Sequence, residues 1–116
     1  MKPLLAVVTG AAVGMVLRLA VDYLVLPPLS TVVVNVIGSF ALGVLVARVW
    51  PVASPAVRAG LGPGLLGTFT TFSAVAVALV GLGANGEWMI ALAYLAANVV
   101  GGLIAAWLGL STGRRS

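Results

Sequence analysis

The stretch Gly67-Thr68-Phe69-Thr70-Thr71-Phe72-Ser73 is polar, although the residues on both sides of it are almost all apolar. It brings four hydroxyl groups, two aromatic rings and a glycine into a segment long enough to cross a membrane. In hydrocarbon, polar or irregular backbone persists only where it packs on protein or lines a water-filled path. The stretch therefore predicts a binding site or a pathway inside a membrane-spanning segment.

The composition indicates a membrane protein with several crossings. Of the 116 residues, 62% are hydrophobic and 7% are charged, whereas soluble domains carry about 25% charged residues. Cysteine and histidine are both absent, which excludes disulfides, thiolate metal sites and the usual proton shuttle. The sequence contains no nucleophile–base pair, phosphate loop or metal-ligand spacing, so we predict that the chain is not an enzyme.

Four hydrophobic spans are predicted within a single domain of residues 1–116, at about residues 4–26, 30–50, 59–82 and 88–110. The predicted fold class is an all-α membrane protein with four transmembrane helices. Glycines at positions 60, 62, 64 and 67, together with Pro63, predict that the third helix is broken near its middle. Gly10 with Gly14 and Gly60 with Gly64 have GxxxG spacing, which lets helices pack closely.

The basic residues predict the orientation of the chain. Five of the six lie in segments on one side of the membrane, namely Lys2, Arg48, Arg58, Arg114 and Arg115. Since short loops rich in Lys and Arg face the cytoplasm, both termini are predicted to be cytoplasmic in one fixed orientation. Arg18 and Asp22, four residues apart, are expected to form an ion pair, either as a structural anchor or in a vestibule.

Uncharged polar side chains occur on three of the four spans. Asn35 and Ser39 share one face of the second span, and Tyr94 and Asn98 share one face of the fourth. Together with the third-span hydroxyls, they either hydrogen-bond helices to one another or line a pathway. Amide N–H groups, hydroxyls and the positive edge of a phenylalanine ring suit an anion, whereas the carboxylate ring expected in a cation pore is missing. Carbonyl groups freed at the break would suit a small hard cation held structurally.

The chain resembles the fluoride channels of the Fluc/CrcB family over nearly its whole length. The resemblance is carried by Gly14-Met-Val-Leu-Arg18, Val34-Asn-Val-Ile-Gly-Ser-Phe-Ala-Leu-Gly43, the stretch from Gly67 to Ser73, and Tyr94 with Asn98. It implies an antiparallel dimer with two narrow pores in a prokaryotic cell membrane, and passive, selective export of fluoride.

The resemblance also implies roles for particular residues. The pore-lining side chains would be Asn35, Ser39, Phe72, Ser73, Tyr94 and Asn98. The backbone carbonyls of Gly67 and Thr70 would bind a central sodium ion that is structural and is not transported. Arg18 and Thr71 are expected to be structural.

The chain departs from the family pattern in three respects. Thr68 stands where the family usually has a second glycine, and Val75 stands where it has the second phenylalanine of a pore-lining pair. A valine offers no ring edge, so the pore that depends on position 75 is expected to be impaired. The one-sided loop charge differs from that of members that insert both ways. It predicts a heterodimer with a homologous chain of opposite bias.

Two other functions remain open from the sequence. A proton-coupled exporter of the small multidrug type needs a carboxylate within the membrane, and the only acids are Asp22 and Glu87. A non-conducting subunit that stabilises a channel heterodimer would account for Val75.

Overall fold

The computed structural model describes residues 2–114, which form four helical crossings joined by short turns. The first crossing is α1 (Lys2–Leu24), and the second is α2 (Leu29–Val44) followed by a π-helical turn, π1 (Leu45–Val49). The third consists of α3 (Pro55–Ala59), the π-helical segment π2 (Gly60–Leu66), α4 (Gly67–Phe69) and α5 (Ser73–Ala84). The fourth is α6 (Trp88–Arg114). All four crossings are long and apolar enough to span a membrane, which confirms the predicted all-helical class.

The glycine- and proline-rich part of the third crossing is not where the helix breaks. Pro63 lacks an N–H, and its ring would clash with the carbonyl of Ala59 in an α-helix. The chain instead widens into π2, and the N–H of Gly67 reaches back five residues to the carbonyl of Gly62. The interruption follows at residues 70–72, between α4 and α5.

The inner half of the third crossing packs closely against α1. Both GxxxG pairs lie at this contact, which confirms the close packing predicted from their spacing. A side-chain carbon on Gly64 would lie 2.8 Å from the carbonyl oxygen of Val7, and one on Gly60 would lie 3.0 Å from that of Ala6. Glycine is therefore needed here because backbone meets backbone.

The second and fourth crossings form the other closely packed pair. A side-chain carbon on Gly43 of α2 would come within 2.8 Å of the backbone nitrogen of Leu110 in α6. On the facing helix, a side-chain carbon on Gly109 would lie 3.1 Å from backbone atoms of Phe40 and Val44. Bare backbone on both helices thus brings α2 and α6 together, which also fixes the polar residues that they carry.

The outer half of the third crossing has less support. Helix α5 packs mainly against α6, and the side chains of Val77 and Val80 are each 74% exposed. One flank of the bundle therefore remains open beside the break.

Candidate functional site

The interruption of the third crossing lies against α2. Thr70 has an extended backbone, with φ −86° and ψ 162°, whereas Phe72 has returned to helical geometry. Both the N–H and the hydroxyl of Thr70 donate to the carbonyl of Leu66, at 3.0 and 2.8 Å. Gly38 of α2 faces the Thr70 methyl group and the ring of Phe69. The lack of a side chain on Gly38 lets the interrupted backbone approach this closely.

Asn35 pairs with the interrupted backbone as another peptide group would. Its Oδ1 accepts the N–H of Thr71 at 2.8 Å, and its Nδ2 donates to the carbonyl of Thr71 at 2.9 Å. This double contact fixes the orientation of the amide, because the oxygen must face the donor. The second N–H of Nδ2 donates to Oδ1 of Asn98 at 2.8 Å. Both N–H groups of Asn35 are thus used within the chain.

The fourth crossing contributes two polar groups with unused hydrogen-bonding capacity. Asn98 is 8% exposed, and its Nδ2 donates to the carbonyl of Tyr94 at 3.0 Å. Its other N–H has no partner within residues 2–114. The buried hydroxyl of Tyr94 likewise has no hydrogen-bond partner in the described part of the chain. Buried polar groups are nearly always paired, so these two donors indicate a ligand or water.

Thr71 starts the second half of the crossing. Its Oγ1 accepts the N–H of Ala74 at 3.2 Å and lies 3.1 Å from the hydroxyl of Ser73. A hydroxyl that accepts an N–H from the first turn satisfies a donor that the helix itself leaves unpaired. This contact gives Thr71 a structural role.

Two carbonyl oxygens at the break remain available for a cation. Within the described residues, no hydrogen bond reaches the carbonyl oxygen of Gly67 or that of Thr70. Carbonyl oxygens are suitable ligands for hard cations. The residues present therefore fit the expected sodium ion.

Two cavities adjoin the break and together contain the predicted pore-lining side chains. The break groove, of about 750 Å³, contains Asn35, Ser39, Phe72 and Asn98 together with Gly67 and Thr70, whose carbonyls are the predicted sodium ligands. The Tyr94 recess, of about 610 Å³, contains Ser73 and Tyr94 with Thr31 and Pro28. No lining residue is shared, and both partners of the Asn35–Asn98 hydrogen bond line the break groove. The structure thus brings the six side chains together in two groups.

Arg18 lies apart from this arrangement. It is half-buried on α1 and lines neither cavity. Throughout residues 2–114, no carboxylate oxygen lies within ion-pair distance of a basic nitrogen, so the expected Arg18–Asp22 ion pair is not formed. Helical spacing of four permits such a pair but does not impose it, because long side chains reach solvent instead.

Val75 is fully buried at the wall of the break groove. Phe72, three residues earlier, is 69% exposed. The two positions therefore point in different directions, and the chain presents one ring at its open flank.

Sequence reasoning missed Thr31 and also the contact that Thr68 makes. Thr31 is 7% exposed and lines the Tyr94 recess, and its spacing of four residues from Asn35 would have placed it on the same face. Thr68 has its Oγ1 3.1 Å from the carbonyl of Ala11 and 2.9 Å from that of Gly64. Its hydroxyl thereby ties α1 to the third crossing, a contact that no local pattern predicts.

Comparison with known proteins gives consistent results over the full set of crossings. The family model described as "CrcB-like protein, Camphor Resistance (CrcB)" matches residues 5–110. A fluoride-specific ion channel FluC of Deinococcus radiodurans is 43% identical over 117 residues, which cover 91% of this chain and 90% of that protein. The proteins of the same name from Chloroflexus aurantiacus and Stutzerimonas stutzeri are 35% and 38% identical, over 98% and 94% of this chain and 97% and 94% of their own lengths.

Replacing Asn35 by leucine should destabilise the fold. The substitution leaves the N–H and C=O of the half-buried Thr71 without partners. An unpaired group shielded from water costs about 1–3 kcal/mol, so we expect a loss of up to about 6 kcal/mol. The free energy of unfolding in mixed micelles measures this loss.

Ser39→Ala is the matched control, because Ser39 lies one turn away on the same helix and its hydroxyl makes no hydrogen bond within residues 2–114. We expect its effect to stay within about 0.5 kcal/mol. Equal stability of the two variants would contradict the pairing of Asn35 with the break.

Proposed function

This chain belongs to the CrcB family, and we propose on that basis that it is a subunit of a fluoride-specific ion channel. It is a membrane protein of channel type and not an enzyme. Passive export through such a channel would lower the fluoride concentration in the cytoplasm of a prokaryotic cell. The relatives reported above are all named fluoride-specific ion channels.

The convergence of uncharged donors at the break is the observation that carries this proposal. The free N–H of Asn98 and the unpartnered hydroxyl of Tyr94 lie one helical turn apart. Ser39 and Ser73 add hydroxyls to the two cavities. Fluoride holds its water tightly, so a narrow pore must replace that shell with several donors. Uncharged donors do so without trapping the ion.

Phe72 would supply an aromatic edge to the same path. Its ring is 69% exposed at the mouth of the break groove, and the edge of an aromatic ring is electropositive. An exposed ring beside open backbone is best explained by a path that a second subunit completes.

A sodium ion bound by the carbonyls of Gly67 and Thr70 would be structural. When bound, it would neutralise the two carbonyl dipoles at the interruption. Gly67 is exposed and Thr70 is half-buried, so the ion would lie at the open flank, where a second chain can supply further oxygen ligands.

An antiparallel dimer would cover this flank. Lipid offers no hydrogen bonds, and irregular backbone does not persist against hydrocarbon. The carbonyls of Gly67 and Thr70 and the ring of Phe72 therefore need protein beside them. A homologous chain inserted in the opposite direction would bring its own break to the same depth.

The charge distribution favours a heterodimer over a homodimer. The side chain of Arg48 lies beside Gly113 near the end of α6, so the basic ends of the second and fourth crossings meet. Lys2 and Arg58 belong to helices that pack together, and Arg115 lies outside the described residues. An inverted copy of this chain would place the same charges on the wrong side of the membrane. The partner is therefore a homologue of opposite bias, which also provides the phenylalanine absent at position 75.

A non-conducting, stabilising subunit is the second candidate function. The full burial of Val75 favours it, because this chain contributes a single ring. An exporter of the small multidrug type lacks support, since Asp22 and Glu87 line neither cavity.

Fluoride efflux from liposomes tests the channel function. We expect this chain and its oppositely biased partner together to release fluoride but not chloride, measured with ion-selective electrodes. Phe72→Leu should slow efflux by about tenfold or more, equivalent to about 1.4 kcal/mol of lost ion stabilisation.

Phe40→Leu is the matched control, because Phe40 is outside both cavities. Undiminished efflux in the Phe72 variant would favour the stabilising subunit. Absence of fluoride efflux from every assembly would refute the channel.

Cysteine labelling tests the single orientation on which the heterodimer depends. The chain has no native cysteine, so single cysteines at Val52 in the second loop and Ala84 before the third loop can be labelled specifically. We expect Val52→Cys to react from the cytoplasm only and Ala84→Cys from outside only. Comparable labelling of each site from both sides would show dual insertion and favour a homodimer.

Stability in different salts tests the sodium site. Sodium should stabilise the assembled channel by up to about 2.7 kcal/mol at a hundredfold excess over its Kd, because it binds the folded state only. Potassium at the same ionic strength should not. Thr70→Val removes the hydroxyl and keeps the carbonyl, so the sodium effect should persist in that variant. Equal stabilisation by both cations would rule out the site.

A further inference from the structure

The side-chain amides of Asn35 and Asn98 form a hydrogen-bonded bridge between the second and fourth crossings at the break groove. Asn35 lines the break groove, and Thr31, one turn before it, lines the Tyr94 recess. Asn98 lines the break groove, and Tyr94, one turn before it, lines the recess. The bridge therefore lines the break groove, one helical turn from two residues of the recess.

The bridge places an amide oxygen, which repels an anion, beside the N–H that an anion would need. Because the backbone of Thr71 fixes the Asn35 amide, the remaining N–H of Asn35 is directed at Oδ1 of Asn98, 2.8 Å away. That oxygen carries partial negative charge and occupies the place where an anion would accept the same N–H. The Asn98 amide has an unused N–H, but its oxygen is committed to Asn35.

We propose that the passing fluoride ion exchanges with Oδ1 of Asn98 as the acceptor of the Asn35 N–H. Asn98 turns about its side-chain bonds, releases Asn35 and directs its own free N–H to the ion. Asn35 stays in place, because its two bonds to Thr71 are unaffected. Asn98 is thus a specificity-determining residue whose amide opens the path only for an acceptor strong enough to replace it.

This inference rests on the proposed fluoride conduction and explains how it discriminates between anions. Chloride is larger and a weaker hydrogen-bond acceptor than fluoride. It gains less from the two N–H groups and does not displace an amide oxygen from a buried 2.8 Å bond. The exchange therefore adds selectivity that a static ring of donors would lack.

Side-chain amide NMR tests the exchange directly. The chain has asparagine at three positions, 35, 85 and 98, and no glutamine, so its spectrum contains three side-chain NH₂ pairs. The labelled chain is placed in its conducting assembly with an unlabelled partner and titrated with potassium fluoride. Potassium chloride at the same concentration provides the control for ionic strength.

We expect fluoride to shift the amide signals of both Asn35 and Asn98 in a saturable manner, and to shift the side-chain carbonyl carbon of Asn98 as it loses its donor. Chloride should move neither. A shift of the Asn98 signals alone would show that the hydrogen bond between Asn35 and Asn98 does not open. If neither set of signals shifts in a conducting assembly, the ion path lies elsewhere. Either result overturns the exchange while leaving fluoride conduction intact.

Asn98→Ala provides a second readout that does not depend on transport. With the acceptor removed, the Asn35 amide proton signal should move upfield without fluoride, because the N–H loses a hydrogen bond. In the native chain, fluoride is the stronger acceptor and should move the same signal downfield. A fluoride-free Asn35 signal at its native position would show that Asn98 does not hold this N–H, and would overturn the proposal.

Discussion

The interrupted backbone at Thr71 has to find hydrogen bonds where the membrane supplies none, and Asn35 supplies them. A side-chain amide has the same donor and acceptor as a peptide group, so it can replace the bonds that a continuous helix would have made. The rest of the arrangement depends on this pairing. It holds the second and third crossings together, and its remaining N–H reaches the fourth.

Glycine backbone contacts complement this polar centre. Gly43 and Gly109 bring α2 against α6, which places Asn35 within reach of Asn98. On the other side, Gly60 and Gly64 bring the inner half of the third crossing against α1, and Thr68 adds a hydroxyl at that contact. The structure thus builds two close helix pairs and leaves its polar centre at their junction. The flank that stays open is the one carrying Phe72 and the free carbonyls.

Sequence patterns predicted the four crossings and the polar cluster, because hydrophobic length and local spacing determine both. They failed where the outcome depends on contacts between distant residues. The third crossing is broken near its middle, as predicted, but the break lies at residues 70–72. The segment around Pro63, which was expected to cause it, stays helical through wider π-helical bonds. Arg18 and Asp22 had suitable spacing and do not pair. Spacing along the chain also did not indicate that Thr71 and Asn98 take up both N–H groups of Asn35.

The linkage of three crossings through one asparagine bears on how fast such a protein can respond. Helices fastened together at their midpoints cannot tilt independently, and collective helix motions take microseconds to milliseconds. Rotation of a single side chain such as that of Asn98 is a local movement and does not require the helices to move together. Conduction through such an arrangement would not require a collective motion of the helices. The rate of ion passage would then be set by the rotation of single amides. The channel would conduct without an activating signal.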